Sequence, residues 1–148
     1  MPNDSLTAEQ ARDLRALAGT IIPASAAYGV PGADDDKIFA DILRGLERDR
    51  DDVCRALAHL ATLSGGAFAE LGPERRIEVA AAFREAGGAP LTALVRVVLL
   101  CYYRDDRVML SLGQEPRPPF PKGHVVEQGD WSLLDPVRAR PSMYRRVD

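Results

Sequence analysis

Histidine and cysteine are nearly missing from this chain, with two of each in 148 residues: His59, His124, Cys54 and Cys101. A zinc-type centre gathers three or four such ligands, and no CxxC pair occurs anywhere in the sequence. No excess of positive charge is present either. Nineteen basic residues face 22 acidic ones for a net charge of −3, which argues against broad nucleic-acid binding through neutralised phosphates. The longest apolar run, Val97 to Tyr103, is far too short to cross a bilayer. Met1-Pro2-Asn3-Asp4 lacks the basic start and apolar stretch of a secretory signal, so the expected location is the cytoplasm. The glycine pairs Gly65-Gly66 and Gly87-Gly88 lack the spacing of a GxGxxG or Walker loop, no strand pattern precedes either, and there is no GxSxG elbow.

What remains is helical. At 46% hydrophobic and 28% charged residues, the composition is that of an ordinary globular domain. Thr7-Ala8-Glu9-Gln10 has the form of a capping box, with Leu6 placed to staple the first turn. Leu14, Leu17, Ala18 and Ile21 then follow helical spacing to about Ile22, and Pro23 stops the run. A loop through Tyr28-Gly29-Val30-Pro31-Gly32 follows. Asp34, Asp35 and Asp36 open a second helix whose apolar face is Ile38, Phe39, Ile42 and Leu46. Val53, Leu57, Leu60 and Ala61 mark a third helix. Pro73 starts a fourth, with Ile77, Ala80 and Ala81 as a small-residue packing face. Pro90 starts a fifth, apolar almost all round from Leu91 to Tyr103, the pattern of a central buried helix. Arg96 is its exception and is expected at solvent or a partner. A short sixth helix, Asp105 to Leu112, ends at Gly113. The expected fold is all-α: a small orthogonal bundle of five to six helices over residues 1–112.

Residues 113–148 read differently. Pro116, Pro118, Pro119 and Pro121 exclude a helix or a central strand through that stretch. Yet Phe120, Trp131, Leu133, Leu134, Val137, Met143 and Tyr144 place large apolar anchors at intervals, unlike a solvated tail. Residues 116–148 carry a net charge of +2, against −5 for the preceding residues. The segment is expected to be an extended strap lying on a surface, either its own helical body or another protein. Ordering such a strap costs on the order of 1–2 kcal/mol per residue in backbone entropy, so it needs many contacts, which favours a partner in trans.

The residues that invite a chemical reading have plainer ones. His59 lies near the stripe of the third helix with no carboxylate at helical spacing, and reads as structural. His124 and Glu127 are two potential ligands in a loop, too few for a metal site. Asp34 to Asp36 reads as a solvated helix start rather than a cation site. Cys54 and Cys101 read as buried thiols. Tyr102 and Tyr103 read as one core residue and one residue facing the strap or a ligand. Trp131 is either a lid over the body or an anchor in a partner's pocket.

Two stretches resemble a known family. Leu14-Arg15-Ala16-Leu17-Ala18-Gly19-Thr20-Ile21-Ile22-Pro23 resembles the opening motif of the small subunit (subunit 3, or gamma subunit) of flavin-dependent gluconate 2-dehydrogenases. In that family a helix ends in Ile-Ile-Pro before a Gly/Pro loop and a second helix. Cys101-Tyr102-Tyr103-Arg104-Asp105, on to Leu112-Gly113, is similar to the family's Gly-Tyr-Tyr region, with Cys101 in place of the usual glycine. The resemblance implies a non-catalytic helical subunit of a large FAD-containing oxidoreductase of the glucose-methanol-choline type, acting on sugars or other alcohols. It implies no catalytic, metal or cofactor residue in this chain, since the FAD sits in the partner. Many members carry a twin-arginine export signal; none is seen here, so a cytoplasmic complex is expected.

The leading expectation is therefore an accessory subunit that binds and stabilises such an oxidoreductase. Phe120, Trp131, Leu133, Leu134 and Tyr144 serve as strap anchors, and Tyr102 and Tyr103 frame the docking surface. The competing readings are a stand-alone ligand-binding or enzymatic domain with the strap as lid, and a homo-oligomer whose straps exchange between protomers.

Overall fold

A computed structural model describes residues 6–117 and 127–141. Among these residues there is no strand, only an isolated antiparallel bridge between Ser25 and Val30. The fold is all-α, a small helical bundle. Backbone packing divides the chain into two units, Met1–Pro116 and Arg117–Asp148, and each is described by itself.

The first unit holds α1 (Ala8–Ile21), α2 (Asp36–Arg44), α3 (Arg50–Ser64), α4 (Pro73–Ala86), α5 (Ala89–Tyr103) and α6 (Asp106–Ser111), with short 3₁₀ turns at Glu47–Asp49 and Phe68–Glu70. The ends of these helices follow from local chemistry. The Thr7 hydroxyl accepts from the Gln10 N–H while the Gln10 side chain accepts from the Thr7 N–H, closing the capping box of α1. Leu6 packs half-buried against the core beside it. Asp35 caps α2 by accepting from the N–H groups of Lys37 and Ile38. Gly65, at φ 71°, ends α3 in a left-handed cap, and Gly113, at φ 70°, turns the chain just past α6.

The core runs through α3, which packs against α5, α4 and α1. Leu14, Leu17, Ile38, Ile42, Val53, Leu60, Phe68, Leu94, Val98 and Val108 are each almost fully enclosed. The expected apolar faces of α2 and α3 are the buried ones. That of α4 is not. Val79 and Phe83, one turn apart, enter the core, whereas Ile77 is 65% exposed and Ala81 is open to solvent. The bulkier pair takes the interior, and the small residues line a groove instead of a tight helix contact.

The second unit is shorter. Phe120 and Tyr144 among the expected anchors, together with Met143 and His124, lie outside the described residues. Within residues 127–141 the chain is not extended throughout: Trp131–Leu134 forms a 3₁₀ turn that leads into α7 (Asp135–Arg138). Asp130 caps this turn by accepting from the Ser132 N–H and hydroxyl. Pro136 falls in the first turn of α7, where its missing N–H has no helical partner to lose.

Candidate docking surface

The surface of interest is built by α5. Gly88, at φ 99°, and Pro90 start the helix, and Ala93, Leu94, Val97, Val98, Cys101 and Tyr102 turn into the bundle. The helix is not buried all round as expected. Leu99 is 36% exposed, Leu100 58% and Tyr103 53%. Together with Arg96 they are spaced three and four residues apart and therefore share one face. A pattern of apolar residues reveals that a helix avoids water, but not whether this chain supplies the cover. Here α2 and α3 pack against one side of α5, and the opposite stripe remains open. Two further leucines, Leu110 and Leu112, are exposed on and just beyond α6.

The tyrosine pair splits its roles. Tyr102 is buried, and its hydroxyl donates to the Pro31 carbonyl at 3.2 Å. Burial pushes its phenol pKa above the usual value. The ring of Tyr103 stands edge-on to it, 5.2 Å between centroids and 87° between planes. Tyr102 is thus a support, and of the two only Tyr103 presents its ring to solvent.

A set of ion pairs holds this end of the bundle. Arg107 donates to Asp35, the cap of α2, and to Asp105, the cap of α6. Lys37 adds a contact to Asp105 at 3.6 Å. The Arg107 guanidinium holds both carboxyl groups below the usual carboxylate range, and they in turn raise the pKa of Arg107. Beside them, Arg104 and Arg44 both donate to Asp41, whose carboxyl is lowered chiefly by the hydrogen bond from Arg104. Arg96 pairs with Asp49, so its charge is met within the chain. These pairs join residues up to 72 positions apart, and nothing in the local sequence pattern marks them. They link α2 to the end of α5 and to the start of α6.

In the second unit Trp131 is 59% exposed, Leu133 74%, Leu134 41% and Val137 56%. Leu133 and Val137 are one helical turn apart, so this segment presents helical spacing to whatever it meets.

The chemical candidates are accounted for in other ways. His59 is exposed and rests edge-on against Phe83, 5.6 Å between centroids. Asp34, Asp35 and Asp36 diverge: Asp35 faces Arg107, Asp36 faces Arg15, and Asp34 lies against Gly19 and Gly32. Cys54 and Cys101 are free thiols, and burial raises the pKa of Cys101. Among the described residues no three His, Cys, Asp or Glu side chains gather as a metal site, and no helix is long and apolar enough to cross a membrane. No protein-family model, curated protein or solved structure matches the chain.

Proposed function

We propose that this chain is a non-catalytic accessory subunit that binds and stabilises a large FAD-dependent sugar or alcohol oxidoreductase, working in the cytoplasm. The observation that carries the reading is the open face of α5. Leu99, Leu100 and Tyr103 leave apolar area in water on a helix otherwise committed to the core, the property of a surface that meets another protein. Exposed Trp131, Leu133 and Leu134 add a second group of anchors of the kind that dominates interfaces. The identity of the partner rests on the Ile21-Ile22-Pro23 and Tyr102-Tyr103 motifs. Ile21 and Ile22 end α1, Pro23 opens the loop, and α2 follows, the local order that the resemblance implies.

The mechanism is association. By binding the folded form of the large subunit, the chain raises that form's population; the FAD and the reacting groups belong to the partner. The test is co-expression with a large FAD-dependent sugar or alcohol oxidoreductase from the same genome, starting with the neighbouring reading frame if it encodes one. The expected result is that the large subunit is soluble and flavin-loaded with this chain and poorly so without it. An enzyme equally soluble, flavin-loaded and active alone overturns the reading, as does turnover of a sugar or alcohol by the purified 148-residue chain.

A further inference from the structure

Between α1, α4 and α5 lies a half-enclosed groove of about 430 Å³, unrelated to the tyrosine face of α5 by any residue it uses. It exists because α4 leans on α1 and α3 while α5 leans on α2 and α3. The Gly87-Gly88 link, with φ of 63° and 99°, lets the two helices part. Leu17 and Ile21 from α1, Ile77 and Phe83 from α4, and Leu91 and Val95 from α5 form the walls. Ala80 and Ala81 are too short to fill the space between them. The volume lies within the range of about 300–1,000 Å³ common to small-molecule sites.

The polar groups around the groove are few. Thr20 already donates its hydroxyl to the Ala16 carbonyl at 2.8 Å. Arg84 is the one ionised side chain among the lining residues. Its carboxylate neighbour, Glu85, is 3.6 Å away, and both side chains are nearly four-fifths exposed, so that contact is weak. The walls therefore suit an unbranched apolar body with no hydrogen-bonding atoms, and the rim suits one negative end group.

We propose that this groove binds a linear aliphatic carboxylate, its chain against Ile21, Ile77, Leu91 and Val95 and its head group on Arg84. The site goes beyond the accessory-subunit reading and stands or falls separately from it.

The test is a methyl NMR titration of the full chain with decanoate, with octanoate and decan-1-ol as comparators. Decanoate is expected to give saturable shifts at Ile21, Ile77 and Leu91. Octanoate is expected to bind about fifteenfold more weakly, because each of the two methylenes it lacks contributes about fourfold when buried. Arg84→Gln should weaken decanoate about fivefold and leave decan-1-ol unchanged, the loss of one exposed charge-assisted contact. Ala81→Phe, at an exposed position, fills the groove and should abolish binding of all three. Ile77→Glu, also exposed, places a repelling charge at the lip and should weaken decanoate more than the alcohol. The proposal is overturned by titrations that do not saturate, by shifts confined to Leu99 and Leu100, or by Ala81→Phe and Ile77→Glu chains that bind decanoate like the parent.

Discussion

Tyr102 donates its hydroxyl to the carbonyl of Pro31, tying the end of α5 to the loop that precedes α2. Because Tyr103 stands edge-on to Tyr102, this bond also steadies the ring that faces outward. Tyr102→Phe keeps the packing and removes one hydrogen bond, so urea unfolding should show a loss of about 1 kcal/mol. Tyr102→Ala also opens a cavity and should cost about 3–5 kcal/mol. Near-equal losses in the two variants would mean that the hydroxyl, not the ring, carries the contact.

Leu100→Glu tests the open face itself. Leu100 is 58% exposed, and a polar substitution at such a site should shift unfolding stability by no more than about 0.5 kcal/mol. Binding to the proposed flavoenzyme partner is a different matter, since a carboxylate placed in an apolar interface is desolvated without a counter-charge. Co-purification with the large subunit should be lost while stability is kept. A Leu100→Glu chain that still co-purifies fully removes this face from the interface.

Acid sensitivity should follow from the Arg107 cluster. Asp35 and Asp105 have folded pKa values below the ordinary 3.8, each chiefly through the hydrogen bond from Arg107. A carboxyl with a depressed folded pKa contributes stability above its unfolded pKa, and that contribution is lost as pH falls through the folded value. Stability should thus be flat above about pH 5 and decline from near 3.8 downward. Arg107→Gln removes the partner of both groups. The difference between parent and variant, read from urea midpoints, should be largest at neutral pH and shrink below pH 3.8. A gap that stays constant with pH would assign the role of Arg107 to packing.

Much of the helical framework was legible in short-range chemistry. The Thr7–Gln10 capping box, the prolines at the starts of α4 and α5, and Gly113 after α6 each act within a few residues. Their geometry is settled by neighbours in sequence. Which apolar residues are covered was less legible. Ile77 and Leu100 carry the same signal as Val79 and Val98, and only the arrangement of the other helices separates them. The prolines point to an extended tail, yet Trp131–Arg138 lies beyond that cluster and closes helical turns after the Asp130 cap. The charged network was not legible at all, because Asp35 and Arg107 meet only after α2 and α6 have docked.

Asp13 illustrates the same limit and supplies a test. It is 4% exposed on the buried face of α1, where its carboxylate accepts the Ala69 N–H at 2.8 Å and so anchors the 3₁₀ turn Phe68–Glu70. Asp13→Ala leaves that N–H without its partner and should cost about 1–3 kcal/mol in urea unfolding. Amide exchange should quicken at Ala69 before it quickens in α3. A variant as stable as the parent would show that water replaces the carboxylate there.

Gly19 and Gly32 both lie against Asp34, but for different reasons, and alanine substitutions should separate them. The three atoms nearest to a Cβ at Gly19 all belong to the Asp34 side chain, at 2.8 to 3.0 Å. Asp34 is exposed and able to swing away, and alanine suits the interior of α1 better than glycine by about 1 kcal/mol. Gly19→Ala should therefore be neutral or mildly stabilising. A Cβ at Gly32 runs into Asp34 Oδ1, and also meets the Ala24 amide nitrogen at 3.0 Å and the Ile22 carbonyl oxygen at 3.2 Å. Those last two belong to backbone that joins α1 to the loop, with Ala33 donating to the same Ile22 carbonyl. Gly32→Ala should destabilise by about 1–3 kcal/mol, and adding Asp34→Ala should restore only part of the loss. Full rescue by Asp34→Ala would mean that the side chain alone demands glycine at position 32.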